Sequence, residues 1–215
     1  MKTLHRLAGL LIAAALAGGC ASPPAPQRLL IAVGDSITAG YMAVDGTVQL
    51  RQDLSHASRL GAGWRVVNVA IPGYTTEQAT GWPVETTRKL VPDATLVMLG
   101  TNDALRALPM EGSKAAMRKV LDAFPKGRLI LITPPFAGDA YKAWQTEWNA
   151  FLRQEAATRG AAFVDAYTPG ANGEWLCALP DIHICPNGQA AIAALVSAQL
   201  PPATPPATSQ STKAQ

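Results

Sequence analysis

The sequence predicts an α/β fold built on a doubly wound parallel sheet. Five short apolar runs recur along the chain, at 29–33, 65–69, 95–99, 128–132 and 161–164. They are continuous rather than alternating, as in strands buried on both faces of a parallel sheet. Segments of helical character lie between them, so strand and helix alternate five times. These are placed around 46–60, 76–90, 112–123 and 141–159, with a last helix about 187–199 after the fifth strand.

Composition allows one such domain. The chain has 215 residues, 48% hydrophobic and 15% charged, which suits a single core and excludes global disorder. Its formal charge is +3, but Lys2 and Arg6 belong to what reads as a leader. The rest carries 16 basic against 15 acidic side chains, with no electrostatic footprint for nucleic acid.

Residues 1–19 read as a signal peptide: a short positive start, then an apolar run from Leu7 to Leu16 broken only by Gly9. That run is shorter than the roughly 20 residues a bilayer-spanning helix needs. Ala17-Gly18-Gly19-Cys20 follows and resembles a lipobox, in which cleavage before Cys20 leaves the cysteine to carry lipid. Ala21, rather than Asp, after the cysteine suggests the outer membrane, periplasmic side; the alternative is plain secretion. Residues 20–27 form a Pro-rich tether, 28–200 the folded domain, and 201–215 a Pro/Ala/Thr/Ser tail that can build no core.

In doubly wound sheets ligands bind at the carboxyl ends of the strands. After the first strand comes Gly34-Asp35-Ser36. A serine on this strand-to-helix turn can present its hydroxyl where backbone N–H groups favour an anion, or can simply cap the helix. After the second comes Asn68 to Thr76, in which Gly73 can offer an unobstructed N–H or serve a plain Pro-Gly turn. After the third comes Gly100-Thr101-Asn102-Asp103, where Asn102 supplies a neutral donor. Near the end stand Asp181 and His183. Of the three histidines, His5 leaves with the leader and His56 reads as a surface residue in a helical stretch. His183 alone has a carboxylate close before it.

This order of blocks resembles the SGNH (GDSL-type) hydrolases over essentially all of residues 29–199. The resemblance implies a three-layer α/β/α sandwich with a five-stranded parallel sheet in flavodoxin-like order 2-1-3-4-5. It implies ester hydrolysis without cofactor or metal, with Ser36 as nucleophile and His183 as its base. Ser36 N–H, Gly73 N–H and the Asn102 amide would form the oxyanion hole. The family places an Asp three residues before the His; here that position is Pro180, and Asp181 is only two before. Ala70 also stands where a Gly is common. The triad acid is therefore open between Asp181 and Asp165, which follows the fifth strand and can also cap a turn. With Cys20 lipidated, Cys177 and Cys185 remain to pair in an oxidising compartment.

The expected protein is a monomeric, lipid-anchored serine esterase of the cell envelope. An acyltransferase or O-acetyl esterase acting on peptidoglycan or envelope polysaccharide is the alternative. A catalytically degenerate binding module is a third reading, motivated by the shortened Asp–His spacing.

Overall fold

The computed structural model describes residues 27–124, 128–171, 175 and 182–200. The leader, the tether through 26, the tail, Cys177 and Asp181 lie outside them. The first half of the chain runs β1 (Arg28–Gly34), α1 (Ser36–Ala39), β2 (Tyr41–Val44), β3 (Thr47–Leu50), β4 (Trp64–Asn68), α2 (Thr76–Ala79) and α3 (Trp82–Thr87). The second half runs β5 (Ala94–Met98), α4 (Thr101–Leu105), α5 (Met110–Asp122), β6 (Arg128–Ile132), α6 (Lys142–Arg159), β7 (Ala162–Val164), α7 (Tyr167–Ala171) and α8 (Pro186–Ser197).

Five strands form one parallel sheet in the order β4-β1-β5-β6-β7. Counting only these strands, that is the expected 2-1-3-4-5. Side chains alternate across a strand, so each strand feeds two cores. Leu30, Ala32, Leu96, Met98, Ile130 and Ile132 pack with Ile192 and Val196 of α8 on one face. Ile31, Val33, Val97, Leu99 and Leu131 pack on the other with Met117, Val120 and Leu121 of α5 and Trp148, Phe151 and Leu152 of α6. Helices therefore cover both faces, which makes three layers and explains why the strand sequences are apolar throughout. Full burial of one such side chain contributes about 1.5–3 kcal/mol.

The helix expected at 46–60 does not form. Asp45 (φ 48°) and Gly46 (φ 76°) instead make a two-residue turn that joins β2 to β3 as an antiparallel hairpin. Consecutive left-handed residues match the twist of a tight hairpin, and Asp-Gly is a strong signal for it. The hairpin is closed at its base by Arg51 N–H donating to Gly40 O at 2.9 Å. Two 3₁₀ turns, Gln52–Leu54 and Ser58–Leu60, complete the segment.

The expected helix at 76–90 is also divided, into α2 and α3. Pro83 lacks the N–H that a continuous helix would need and sits instead in the first turn of α3.

His56 is not a surface residue; it is fully buried between the 3₁₀ turns. Its backbone N–H and its Nδ1 both lie 2.9 Å from Gln189 Oε1, so Nδ1 carries the hydrogen and donates. Gln189, in α8, donates from Nε2 to Ile37 O at 2.9 Å. A single buried amide thus joins α8, the His56 segment and α1. A periodicity reading could not see this, because the partner is 133 residues away.

Candidate active site

The carboxyl ends of β4, β1 and β5, neighbours at one side of the sheet, bring three sequence blocks together. Directly after β1, Asp35 caps α1 through Oδ1, which accepts from Ile37 N–H at 3.0 Å. Asp35 takes the capping role, so Ser36 is the first residue of the helix and its hydroxyl is not spent on the cap. Ser36 is 7% exposed, and its Oγ lies 2.9 Å from His183 Nε2.

His183 sits in the loop before α8. That loop is held on two sides: Ala43 N–H in β2 donates to Ile184 O at 3.3 Å, and Cys185 N–H donates to Trp175 O at 2.9 Å. The Tyr41 ring lies beside the imidazole, with centroids 6.1 Å apart.

The second block forms a tight turn, Ile71-Pro72-Gly73-Tyr74, in which Tyr74 N–H donates to Ile71 O at 3.2 Å. The positive φ of +77° at Gly73 is what a type II turn requires of its third residue, and proline is favoured at its second. The closing bond uses the Tyr74 N–H, so the turn itself makes no demand on the Gly73 N–H. Ile71 N–H donates to Gly34 O at 3.2 Å, which anchors this turn beside the serine turn. Asn68, at the end of β4, reinforces the link by donating from Nδ2 to Thr38 O at 2.8 Å.

The third block begins with Gly100, which has φ +116° and lies against the Trp148 indole; a Cβ there would collide with the ring. Trp148 donates from Nε1 to Leu99 O at 2.9 Å. Asn102 then projects from α4 and donates from Nδ2 to Tyr74 O at 3.0 Å. An amide nitrogen carries two hydrogens, so one remains beyond this bond. Asp103 is fully buried and accepts from Thr76 N–H at 3.0 Å, Thr76 Oγ1 at 2.6 Å and Ser113 Oγ at 2.6 Å. It thereby locks α4 to α2 and α5. Arg106 Nη2 donates to Gly73 O at 2.8 Å and braces the glycine turn from outside.

Burial pushes the Asp35 carboxyl up from 3.8 to about 6, against the opposing pull of the Ile37 N–H, the Thr101 hydroxyl and His183. Burial takes His56 the other way, from 6.5 down to about 4, offset in part by Gln189. The two groups have opposite effects on stability. Between pH 3.8 and about 6 the native Asp35 holds a proton that the unfolded chain releases, so its contribution falls as pH rises. Between pH 6.5 and about 4 the unfolded His56 takes a proton that the native one refuses, so its contribution falls as pH drops. Each slope is about 1.4 kcal/mol per pH unit, and they oppose each other from pH 4 to 6. Asp35→Asn keeps the capping oxygen and removes one slope. Urea unfolding should show the variant gaining on the order of 2–3 kcal/mol over wild type at pH 7.5, and little at pH 4. An equal difference at both pH values would refute the assignment.

Residues 32–191 match the model of the GDSL-like lipase/acylhydrolase family. The chain belongs to this family. A GDSL-like acylhydrolase is a serine ester hydrolase, and solved structures of several esterases share the fold. An aryl esterase from M. smegmatis aligns with a TM-score of 0.65 at 17% identity, covering 80% of this chain and 97% of the other. An acetylxylan esterase from Geobacillus stearothermophilus aligns at 0.65 and 20% identity, covering 79% and 92%. A carbohydrate acetylesterase from Sinorhizobium meliloti aligns at 0.64 and 15%, covering 80% and 98%. No curated protein matches significantly.

Within this GDSL-like chain the structure brings Ser36 and His183 into direct contact and gathers Gly73 and Asn102 around Tyr74. Asp165 is engaged elsewhere. Its Oδ1 accepts from Tyr167 N–H at 3.0 Å and Thr168 N–H at 2.9 Å, and its Oδ2 accepts from Thr168 Oγ1 at 2.9 Å. It caps α7. Among the described residues no group of three or more His, Cys, Asp or Glu side chains is placed to hold a metal. Sequence reasoning missed the bracing roles of Asp103, Arg106 and Gln189. Asp103 was visible in the Gly-x-Asn-Asp block, but nothing in the linear sequence points it at Thr76 or Ser113.

Proposed function

We propose that the chain is a serine esterase of the cell envelope, hydrolysing carboxylic esters through an acyl-enzyme on Ser36. The observation that carries this is the 2.9 Å contact between His183 Nε2 and Ser36 Oγ, at the end of the strand beside the Gly73 turn and Asn102. His183 Nε2 accepts the Ser36 proton as Oγ attacks the ester carbonyl. The oxyanion is held by the N–H groups of Ser36 and Gly73 and by the second hydrogen of the Asn102 amide. His183 then passes its proton to the departing alcohol, and the same residues hydrolyse the acyl-enzyme with water. Asp181 is the acid that orients His183.

Small acyl groups are favoured, because two of the structural neighbours are named for acetyl esters of carbohydrate. O-acetyl groups on peptidoglycan or envelope polysaccharide are therefore the second reading, with transfer to a sugar hydroxyl as its variant. Lipid on Cys20, anchorage at the outer membrane and a monomeric state complete the proposal. The lipid and the anchorage rest on the lipobox-like run before Cys20, on Ala21 after it and on the Pro-rich tether. Cys185 is disulfide-bonded, and Cys177 is the partner we assign.

The test pairs activity with location. Purified protein should hydrolyse p-nitrophenyl acetate faster than the decanoate. Envelope fractions should contain a lipid-modified chain beginning at Cys20. Hydrolysis of neither ester would sink the enzymatic reading, and an unmodified soluble chain would sink the anchor.

A further inference from the structure

The β2–β3 hairpin stands outside the main sheet, and the mechanism makes no use of one of its faces. Directly opposed residues of an antiparallel pair share a face, as do residues two apart. Tyr41 opposes Leu50 and Ala43 opposes Val48, so these four lie on one side. Met42, on the other side, is fully buried and Ala43, on this side, is 2% exposed, so β2 is enclosed on both sides there and the open apolar positions are those of β3. On the Tyr41 side Leu50 is 46% and Val48 37% exposed, although both are large and apolar. This face abuts the base: Tyr41 packs beside the His183 ring, and the Ala43–Ile184 hydrogen bond fixes the hairpin to the His183 loop.

We infer that the Tyr41–Leu50–Val48 face is the subsite for the leaving alcohol, and that it accepts an apolar aryl or alkyl alcohol. The inference rests on the serine-esterase reading and deepens it. Collapse of the tetrahedral intermediate breaks the bond from the carbonyl carbon to the alcohol oxygen. The electron pair goes to that oxygen, and the proton comes from His183 Nε2. The leaving oxygen must therefore lie within hydrogen-bonding reach of Nε2, about 2.6–3.2 Å. The carbon skeleton attached to it extends past whatever borders the imidazole. The carbonyl oxygen goes to the Gly73 turn and Asn102. The imidazole therefore holds the alcohol end of the ester, and Tyr41 of the hairpin is the ring set beside that imidazole. A face with no charged side chain among its four residues selects an apolar group there.

The experiment compares kcat/KM for benzyl acetate and methyl acetate, which share an acyl group and differ only in the alcohol. In Leu50→Ser and Val48→Ser the benzyl-to-methyl ratio should fall roughly fivefold, mainly through KM for the benzyl ester, as expected for a lost apolar contact. The ratio of methyl butyrate to methyl acetate should stay at the wild-type value. Trp82→Ser, which removes an exposed apolar side chain that has no place on the hairpin, should leave both ratios unchanged. An unchanged benzyl-to-methyl ratio in both hairpin variants would overturn the inference, and so would a shift in the butyrate-to-acetate ratio instead. Failure of the underlying reading is distinct: wild-type protein would cleave none of these esters.

Discussion

Ser36→Ala should abolish ester hydrolysis and covalent labelling by a fluorophosphonate probe while leaving the fold intact. Removing a nucleophile from a hydrolase of this kind typically costs roughly 10⁶-fold in kcat. The geometry explains why no other group substitutes. Ser36 is the hydroxyl that His183 Nε2 contacts, at 2.9 Å. The helix cap, a role in which serine is often structural, is supplied by Asp35. Loss of the hydroxyl therefore removes chemistry and no cap, and the variant should melt within about 1 kcal/mol of wild type. Undiminished labelling of the alanine variant would place the nucleophile elsewhere.

Asp181→Asn should lower kcat by roughly 10⁴-fold, the scale seen when the orienting acid of a Ser–His–Asp triad is neutralised. For Nε2 to accept the serine proton, the neutral His183 must carry its hydrogen on Nδ1, and a carboxylate there stabilises that tautomer and the imidazolium that follows. Asp165 is an unsuitable source of that carboxylate. Three donors at the start of α7 occupy it, and Arg153 Nη2 lies 3.8 Å from its Oδ2. Asp165→Asn should thus change turnover little. Measuring kcat against pH for both variants decides the matter. A near-normal Asp181→Asn enzyme would mean that His183 works without that acid.

Much of this site was legible because its chemistry is written in short, local words. Gly-Asp-Ser, the Pro72-Gly73 turn and Gly-x-Asn-Asp each place one functional group immediately after one strand, and a strand end is readable from a continuous apolar run. The failures share one cause. The hairpin at 41–50 was missed although Asp45-Gly46 signals it, because the segment was read for helical periodicity. His56 reads as exposed because it falls in a stretch that reads as a surface helix. Its burial depends on Gln189, a residue of the last helix, and on the 3₁₀ turns that wrap it.

By itself the sequence determined the class of fold, the order of its strands by resemblance, and which side chains are candidates to react. Those follow from local hydrophobic runs and from residue types that few other chemistries require. Only the tertiary structure decided which groups meet and which are braced. Ser36 and His183 are 147 residues apart, and their contact depends on the sheet order and on a loop tied to the hairpin through Ala43. The divergent ionisation of Asp35 and His56 was likewise settled only by packing. Each would titrate near its ordinary value in water, and only enclosure by distant segments makes their charges costly.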